Sequence, residues 1–341
     1  MPIKLGNKDI TKIYRGANEV QSVNIGGLLF LAVSANTLFT FEYTFDNLDN
    51  APRHIVKNDT HVFISDIVTH TVSAFNLTSN DIDFIVPSYG ATIETMLATN
   101  DYLFIGGRNN NVLRFNLSSL QYDLTIDPDF RVTALDIDND ILYIGPRFNN
   151  NARAFNLLTN EFTPFLGGTL STNTNVIIYG NDHLFYSSGM GLRLYEFSTN
   201  NSILHLTDLS PTVASAVFEP SENVIYILRN STTVIESDII IERLDLDTYV
   251  ITPIKTFSQA EFEVNTTTDV TPIPNNIIYK NGHFFIEALN GIYEYDLDND
   301  TLSLLAEYGL SDYTVATFYF DNTHAWIRGV NPLTVHGFRW F

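Results

Sequence analysis

Seven times from His61 onward the chain repeats one pattern: an apolar run, a turn, a second run ending in an acidic or amide residue, and another turn. HVFISD is followed by VSAFNLTSN, YLFIGG by VLRFNLSSL, ILYIGP by ARAFNLLTN, and the series continues to HAWIRG and TVHGFRWF. An aromatic marks each first run: Phe63, Phe104, Tyr143, Phe185, Tyr226, Phe285 and Trp326. Their separations are 41, 39, 42, 41, 59 and 41 residues, and a recurrence near 41 matches one four-stranded propeller blade. The expected fold is therefore all-β, a seven-bladed β-propeller over residues 36–341 closed by an N-terminal strand and preceded by a short β arm over residues 1–35.

A propeller accommodates 341 residues in one domain because each blade buries its faces against its neighbours, and 45% apolar with 13% aromatic residues is enough for such a core. The third unit shows the four strands, called A to D from the innermost outward: VTALDI (132–137), ILYIG (141–145), ARAFNL (152–157) and EFTPF (161–165). B strands are continuously apolar, as expected where both faces are covered. C strands alternate: Val112, Arg114 and Asn116 point one way, Leu113, Phe115 and Leu117 the other. Their polar last residues, Asn76, Asn116, Asn156, Asp245 and Asp296, precede Ser, Thr, Asn or Asp within the turn and read as starters of the C-to-D turn.

The seventh unit has TVATFYF (314–320), AWIRG (325–329) and TVHGFRW (334–340), but no D strand. LFTFEYTF (38–45) is a strand candidate without partners of its own, just ahead of RHIVKN (53–58), the first A strand. The two segments are expected to pair, so that three C-terminal strands and one N-terminal strand share a sheet and no sheet edge is left open between the chain ends. The long spacing between Tyr226 and Phe285 marks residues 256–276 as an excursion from the junction of the fifth and sixth blades, and long loops on repeat scaffolds are candidate functional segments.

Residues 1–35 lie outside the repeat and carry their own doubling, DITKIYRGANEV (9–20) followed by QSVNIGGLLFL (21–31), each a β-prone run with a Gly where a hairpin turn belongs. A segment this short must dock on the propeller or on another protein. Ile10, Tyr14, Gly16, Val20, Val23 and Gly26 fit the form I-x-x-x-Y-x-G-x-x-x-V-x-x-V-x-x-G, with Asn24 where an aromatic is more usual. This leader resembles one common at the start of tailed-bacteriophage virion proteins. The resemblance implies a structural component of a phage particle, tail or capsid-associated, attached through its arm by Ile10, Tyr14, Val20, Val23 and Ile25. It also implies virion localisation after assembly in the host cytoplasm. Capsid, portal or tail subunits are the implied partners, in a multi-copy symmetric assembly, with a host-surface glycan or receptor as a further one.

Eighteen basic against 39 acidic residues give a formal charge of -21, which repels phosphate backbones and anionic bilayers, so neither nucleic acid nor membrane insertion is expected. With no cysteine, thiolate chemistry is excluded. The N-terminal MPIKLGNKDITKIYRG lacks the apolar core of a signal peptide, and a soluble chain is expected. Asp296, Asp298, Asp300 and Glu307 fall at calcium-loop positions, but Thr301 stands where the sharp turn calls for Gly, so a turn is the expected reading. His61, His183, His283 and His324 recur at the start of B strands, spread around a ring and unable to converge on one metal. No Ser, His and carboxylate recur together in one unit, and no cofactor, metal site or enzymatic activity is expected. What remains is a rim of B-to-C turns, GGRNNN and PRFNNN, whose Arg108 and Arg147 beside amides are candidates for binding a glycan or a partner's carboxylate. For a glycan-acting or lectin-type site at the channel, the carboxylates to inspect are Glu94, Asp136 and Glu219.

Overall fold

The computed structural model describes residues 3–5, 8–10, 14–15, 18–19, 22–25, 28–31, 39–45, 48, 52–147, 151–163, 174–188, 191–207, 212–230, 238–263, 274–288, 291–308, 318–320, 324–328 and 335–340. Consecutive antiparallel strands form six four-stranded blades. The first runs Pro52–Lys57, His61–Asp66, Val72–Asn76 and Ile82–Val86. The second runs Ile93–Ala98, Tyr102–Gly107, Val112–Asn116 and Gln121–Ile126. The third follows as Val132–Asp138, Ile141–Pro146, Arg153–Asn156 and Glu161–Phe162. The fourth, fifth and sixth begin with the A strands Thr174–Gly180, Thr212–Glu219 and Pro274–Lys280. Successive A strands touch one another from the first blade to the sixth, which makes them the inner wall of a β-propeller.

Six blades are thus built, against seven expected in all, because the last repeat has no fourth strand of its own. Its three strands, Phe318–Phe320, His324–Arg328 and Val335–Trp340, form a four-stranded sheet with Phe39–Phe45 from the other end of the chain. The added strand lies antiparallel to the last one, with Val335 opposite Phe45 and Trp340 opposite Phe39. Phe45 stacks on Trp326 at 5.7 Å, and both belong to a buried cluster with Ile55, Val62, Ile64 and Phe75 of the first blade.

Why the B strands are apolar at every position is now visible. Leu103, Ile105 and Phe115 of the second blade pack back on Phe63, Val72 and Val86 of the first. Phe104 and Val112 pack forward with Val132, Leu142 and Ile144 of the third. Alternate side chains therefore enter different inter-blade cores, and the hydrophobic effect favours burial on both faces of the sheet. Gly106 shows how close the approach is, since a Cβ there would lie 2.7 Å from Cγ1 of Val132 in the third blade.

The C-to-D turns use the polar residues expected of them. Asn76 Oδ1 accepts the N–H groups of Thr78 and Ser79 at 2.8 and 3.3 Å, and Asn116 does the same for Ser118 and Ser119 at 2.9 Å each. Asp245 and Asp296 repeat the arrangement. Each such turn then passes through a residue of positive φ, filled by Asn80, Asn160, Asn200 and Asp300 in four blades but by Leu120 and Tyr249 in two others. Asn and Asp tolerate that region better than Leu.

The leader forms three hairpins in series. Ile3–Leu5 with Lys8–Ile10 and Tyr14–Arg15 with Asn18–Glu19 are two-stranded sheets of their own. Ser22–Ile25 with Leu28–Leu31 instead joins the outer edge of the sixth blade, where Phe30 lies opposite Ala306 and Leu28 opposite Tyr308. Of the two destinations expected for the leader, this third hairpin takes the propeller. The excursion after the fifth blade starts with a short helix, Gln259–Glu263, at whose start Ser258 and Glu261 bond reciprocally. Phe262 is buried against Phe257 and Tyr293, tying the helix to the junction of the two blades, while residues 264–273 lie outside the described residues.

Candidate functional site at the mouth of the inner wall

Every A strand of the six blades slips register near its start, between Pro52 and Ile55, Ile93 and Thr95, Val132 and Ala134, Thr174 and Val176, Val213 and Ser215, and Pro274 and Asn276. A bulge leaves a residue without a cross-strand partner and re-aims its side chain. The residues so placed are Arg53 and His54 in the first blade, Glu94 in the second and Thr133 in the third. They line the end of the ring where the A strands begin and the B strands finish.

Glu94 is the centre of this end. Its carboxylate is clasped by both Nε and Nη2 of Arg131, the residue just ahead of the third A strand, in a two-pronged geometry suited to a guanidinium. Arg147 Nη1, from the end of the third B strand, donates to Oε1 at 3.4 Å. Arg108 Nε, from the B-to-C turn of the second blade, lies 3.6 Å from the same oxygen. Burial together with the charges of Arg147 and Arg53 lowers the pKa of Arg131, and burial together with Arg108 lowers that of Arg53, so the four guanidiniums feel one another. The Glu94 side chain is 9% exposed whereas that of Arg108 is 55% exposed, which leaves one arm of the cluster reaching into solvent.

The surroundings are fixed by bonds within and between blades. His54 donates its backbone N–H to Ser65 Oγ at 2.9 Å, and burial pushes its imidazole down to about 4, so it is neutral at physiological pH. Tyr89 Oη donates toward Asn111, at 2.8 Å from both its carbonyl and its amide oxygen, while Asn109 Nδ2 donates to the Tyr89 carbonyl at 3.0 Å. Thr133 Oγ1 donates to the carbonyl of Thr174 at 2.7 Å, linking the third blade to the fourth. The guanidiniums of Arg108, Arg131 and Arg147 thus converge on the carboxylate of Glu94.

No family model matches this chain. No curated protein matches it either. Among solved structures it resembles a computationally designed protein, Ika8, with a TM-score of 0.63 over 88% of this chain and 99% of that one, at 10% identity. At that identity the likeness speaks for the fold alone.

The two rim arginines singled out in the sequence, Arg108 and Arg147, thus meet at Glu94, one of the three carboxylates named for inspection. The other two are engaged elsewhere. Asp136 accepts the N–H groups of Ile137 at 2.9 Å and of Tyr179 in the next blade at 2.6 Å, and burial raises its pKa to about 6. Glu219 closes a turn by accepting from Ser221 N–H at 3.0 Å. Asp296 and Asp300 are engaged in the C-to-D turn and with Lys255 and Tyr295, and Glu307 sits at the far end of its eight-residue strand. His61 and His283 each pair with a carboxylate of their own blade, Asp83 and Glu294, at 2.9 Å, and His183 Nδ1 donates to the carbonyl of Asn181 at 2.8 Å. His324 opens its own B strand, that of the composite sheet. Among the described residues no three His, Asp or Glu gather as metal ligands. Ile10, Tyr14, Val23 and Ile25 lie on the three leader hairpins, while Val20 is outside the described residues. Arg53 and Arg131 are site residues that the sequence reading missed. Their signal would have been a charged residue next to the first apolar position of an A strand.

Proposed function

We propose that the chain is a non-enzymatic component of a tailed-phage particle, held there by its N-terminal arm, with the propeller as a platform for contact with other virion proteins or with the host surface. The observation that carries this reading is the form of the leader. It fits the Gly-spaced virion motif from Ile10 to Gly26, and among the described residues its first two hairpins form no ladder with the blades, whereas the third is seated on the sixth blade. A short hairpin pair outside the described ladders of the propeller is suited to strand addition onto a second protein. We further propose that the composite sheet serves as a seventh blade closing the ring. In support, its A strand Phe318–Phe320 touches the A strand of the first blade, and Trp326 and Val335 share a core with Ile55 and Val62.

The test is incorporation. Particles purified after expression of the full chain, or of a chain lacking residues 1–19, are compared by mass spectrometry, and the two proteins are compared by thermal melt. The shortened chain, which keeps the hairpin on the sixth blade, is expected to melt as the full chain does and to be missing from the particles. Its undiminished presence would overturn the reading.

A further inference from the structure

We infer that the first leader hairpin, Ile3–Leu5 with Lys8–Ile10, adds as an extra strand to the outer edge of the first blade of a second copy of this chain, at Ile82–Val86. This assignment rests on the reading of the arm as an attachment device and gives it one definite partner, leaving Tyr14–Arg15 with Asn18–Glu19 for other virion proteins.

Ile82–Val86 is the last strand of its sheet, and among the described residues no further strand pairs with it. Its register slips at Asp83, so that Ile82 stands opposite Phe75 and Ile85 opposite Ser73. Ser73 and Phe75 are two apart on one strand, and the bulge therefore turns both isoleucines to the same face. They are 42% and 58% exposed, and among the described residues no other outer strand carries an exposed large apolar side chain. An open edge with apolar side chains recruits a further strand unless something guards it. The fifth blade has guards, Pro253 and Lys255 within its outer strand Ile251–Phe257. The sixth has a cover, the leader residues Leu28, Leu29 and Phe30 opposite Tyr308, Glu307 and Ala306. That ladder is three residue pairs long, the length that each strand of the first hairpin offers.

Charge selects the strand that fits. Residues 1–19 hold four basic residues, Lys4, Lys8, Lys12 and Arg15, against Asp9 and Glu19, a net charge of +2. The rest of the chain holds 14 basic against 37 acidic residues, a net charge of -23, so the start of the arm is opposite in sign to the body of every copy. In the hairpin Ile3 lies opposite Ile10, Lys4 opposite Asp9 and Leu5 opposite Lys8, so apolar and cationic residues are interleaved. The receiving edge is matched to it: Asp81 and Asp83 are exposed on either side of Ile82, Asp83 also pairing with His61 at 2.9 Å. A second copy supplies this edge because the arm of the first is held at its own sixth blade, and the proposed closure sets the composite sheet between that blade and the first. A contact from sixth-blade arm to first-blade edge is head-to-tail and repeats from copy to copy, as a multi-copy particle component requires.

The chain has no cysteine, so introduced ones report the contact directly. Full-length Leu5→Cys and Ile85→Cys proteins are mixed under a mild oxidant and run on a non-reducing gel, beside each protein alone and beside Leu5→Cys mixed with Leu158→Cys, a change at an exposed turn of the third blade. The first mixture is expected to give at least about tenfold more cross-linked dimer than any of the others. In sedimentation velocity the parent chain is expected to form species larger than a monomer at about 100 µM, the range for so short an interface. Ile85→Lys, which guards the edge, is expected to weaken that association at least about tenfold and to leave the melting temperature unchanged, since the side chain is exposed. Equal cross-linking in all mixtures, a monomeric parent, or unchanged association in Ile85→Lys would overturn the inference. Cross-linking within one chain that carries both Leu5→Cys and Ile85→Cys, without dimer, would overturn it in favour of the chain's own first blade. A monomeric parent that still needs residues 1–19 to enter particles would place another virion protein at the hairpin and leave the proposed function standing, so the two readings fail separately.

Discussion

The two ends of the propeller treat their polar side chains in opposite ways. At the end with the A-to-B and C-to-D turns, carboxylates and amides are consumed locally. Asn76, Asn116, Asn156, Asp245 and Asp296 each bind backbone N–H groups two and three residues on, and Asn100 reaches Asp59 of the neighbouring blade at 2.6 Å. At the end where the A strands begin, charged groups from the second and third blades meet one another at Glu94 instead. The first set repeats from blade to blade and serves the fold. The second joins two neighbouring blades through side chains that the other blades do not repeat among the described residues.

Removing a carboxylate from each end gives the largest contrast. Glu94→Ala is expected to cost about 3–5 kcal/mol in urea unfolding, because a largely buried charge partner is taken from Arg131. Asp101→Ala at an exposed A-to-B turn should stay within about 0.5 kcal/mol. Equal losses would erase the distinction.

Acid–base behaviour sharpens it next. Burial lowers the pKa of His54 to about 4, so its contribution is present above the unfolded value near 6.5 and is lost as pH falls from about 6.5 to about 4, on the order of 3 kcal/mol. Asp136, with a pKa raised to about 6, acts in the reverse sense, removing a similar amount as pH rises from about 4 to about 6. Urea unfolding from pH 4 to 7 is expected to show less acid loss in His54→Gln and less decline toward pH 6 in Asp136→Asn. Profiles parallel to the parent in both variants would refute the assignment.

Smaller effects belong to the repeated turns. Asn116→Ala is expected to lose about 1 kcal/mol through its two unpaired N–H groups. Leu120→Asn should gain about 0.5–1 kcal/mol, since Leu120 sits at φ 54° where the other blades mostly place Asn or Asp. A loss on making Leu120→Asn would show that this turn is not equivalent to the others.

The strands were legible because one aromatic per unit and the apolar B runs record burial on both faces, and the lone segment 38–45 could be matched to a unit that lacked its fourth strand. The mouth of the ring was only partly legible. Arg108 and Arg147 stood out in polar turns, but Arg53 and Arg131 flank apolar A strands, and a bulge there depends on how neighbouring blades press together. Nor could the sequence tell which edge the third leader hairpin would choose, because its partner residues Ala306, Glu307 and Tyr308 are 277 or so positions away in an ordinary outer strand.

The pairing of Phe39–Phe45 with Val335–Trp340 has a consequence for biosynthesis. Six blades can form while the ribosome is still working, yet the early strand must wait, unpaired and rich in aromatics, until the final codons have been read. Premature termination would therefore release a nearly complete polypeptide with a sticky border, a natural substrate for chaperones or for degradation.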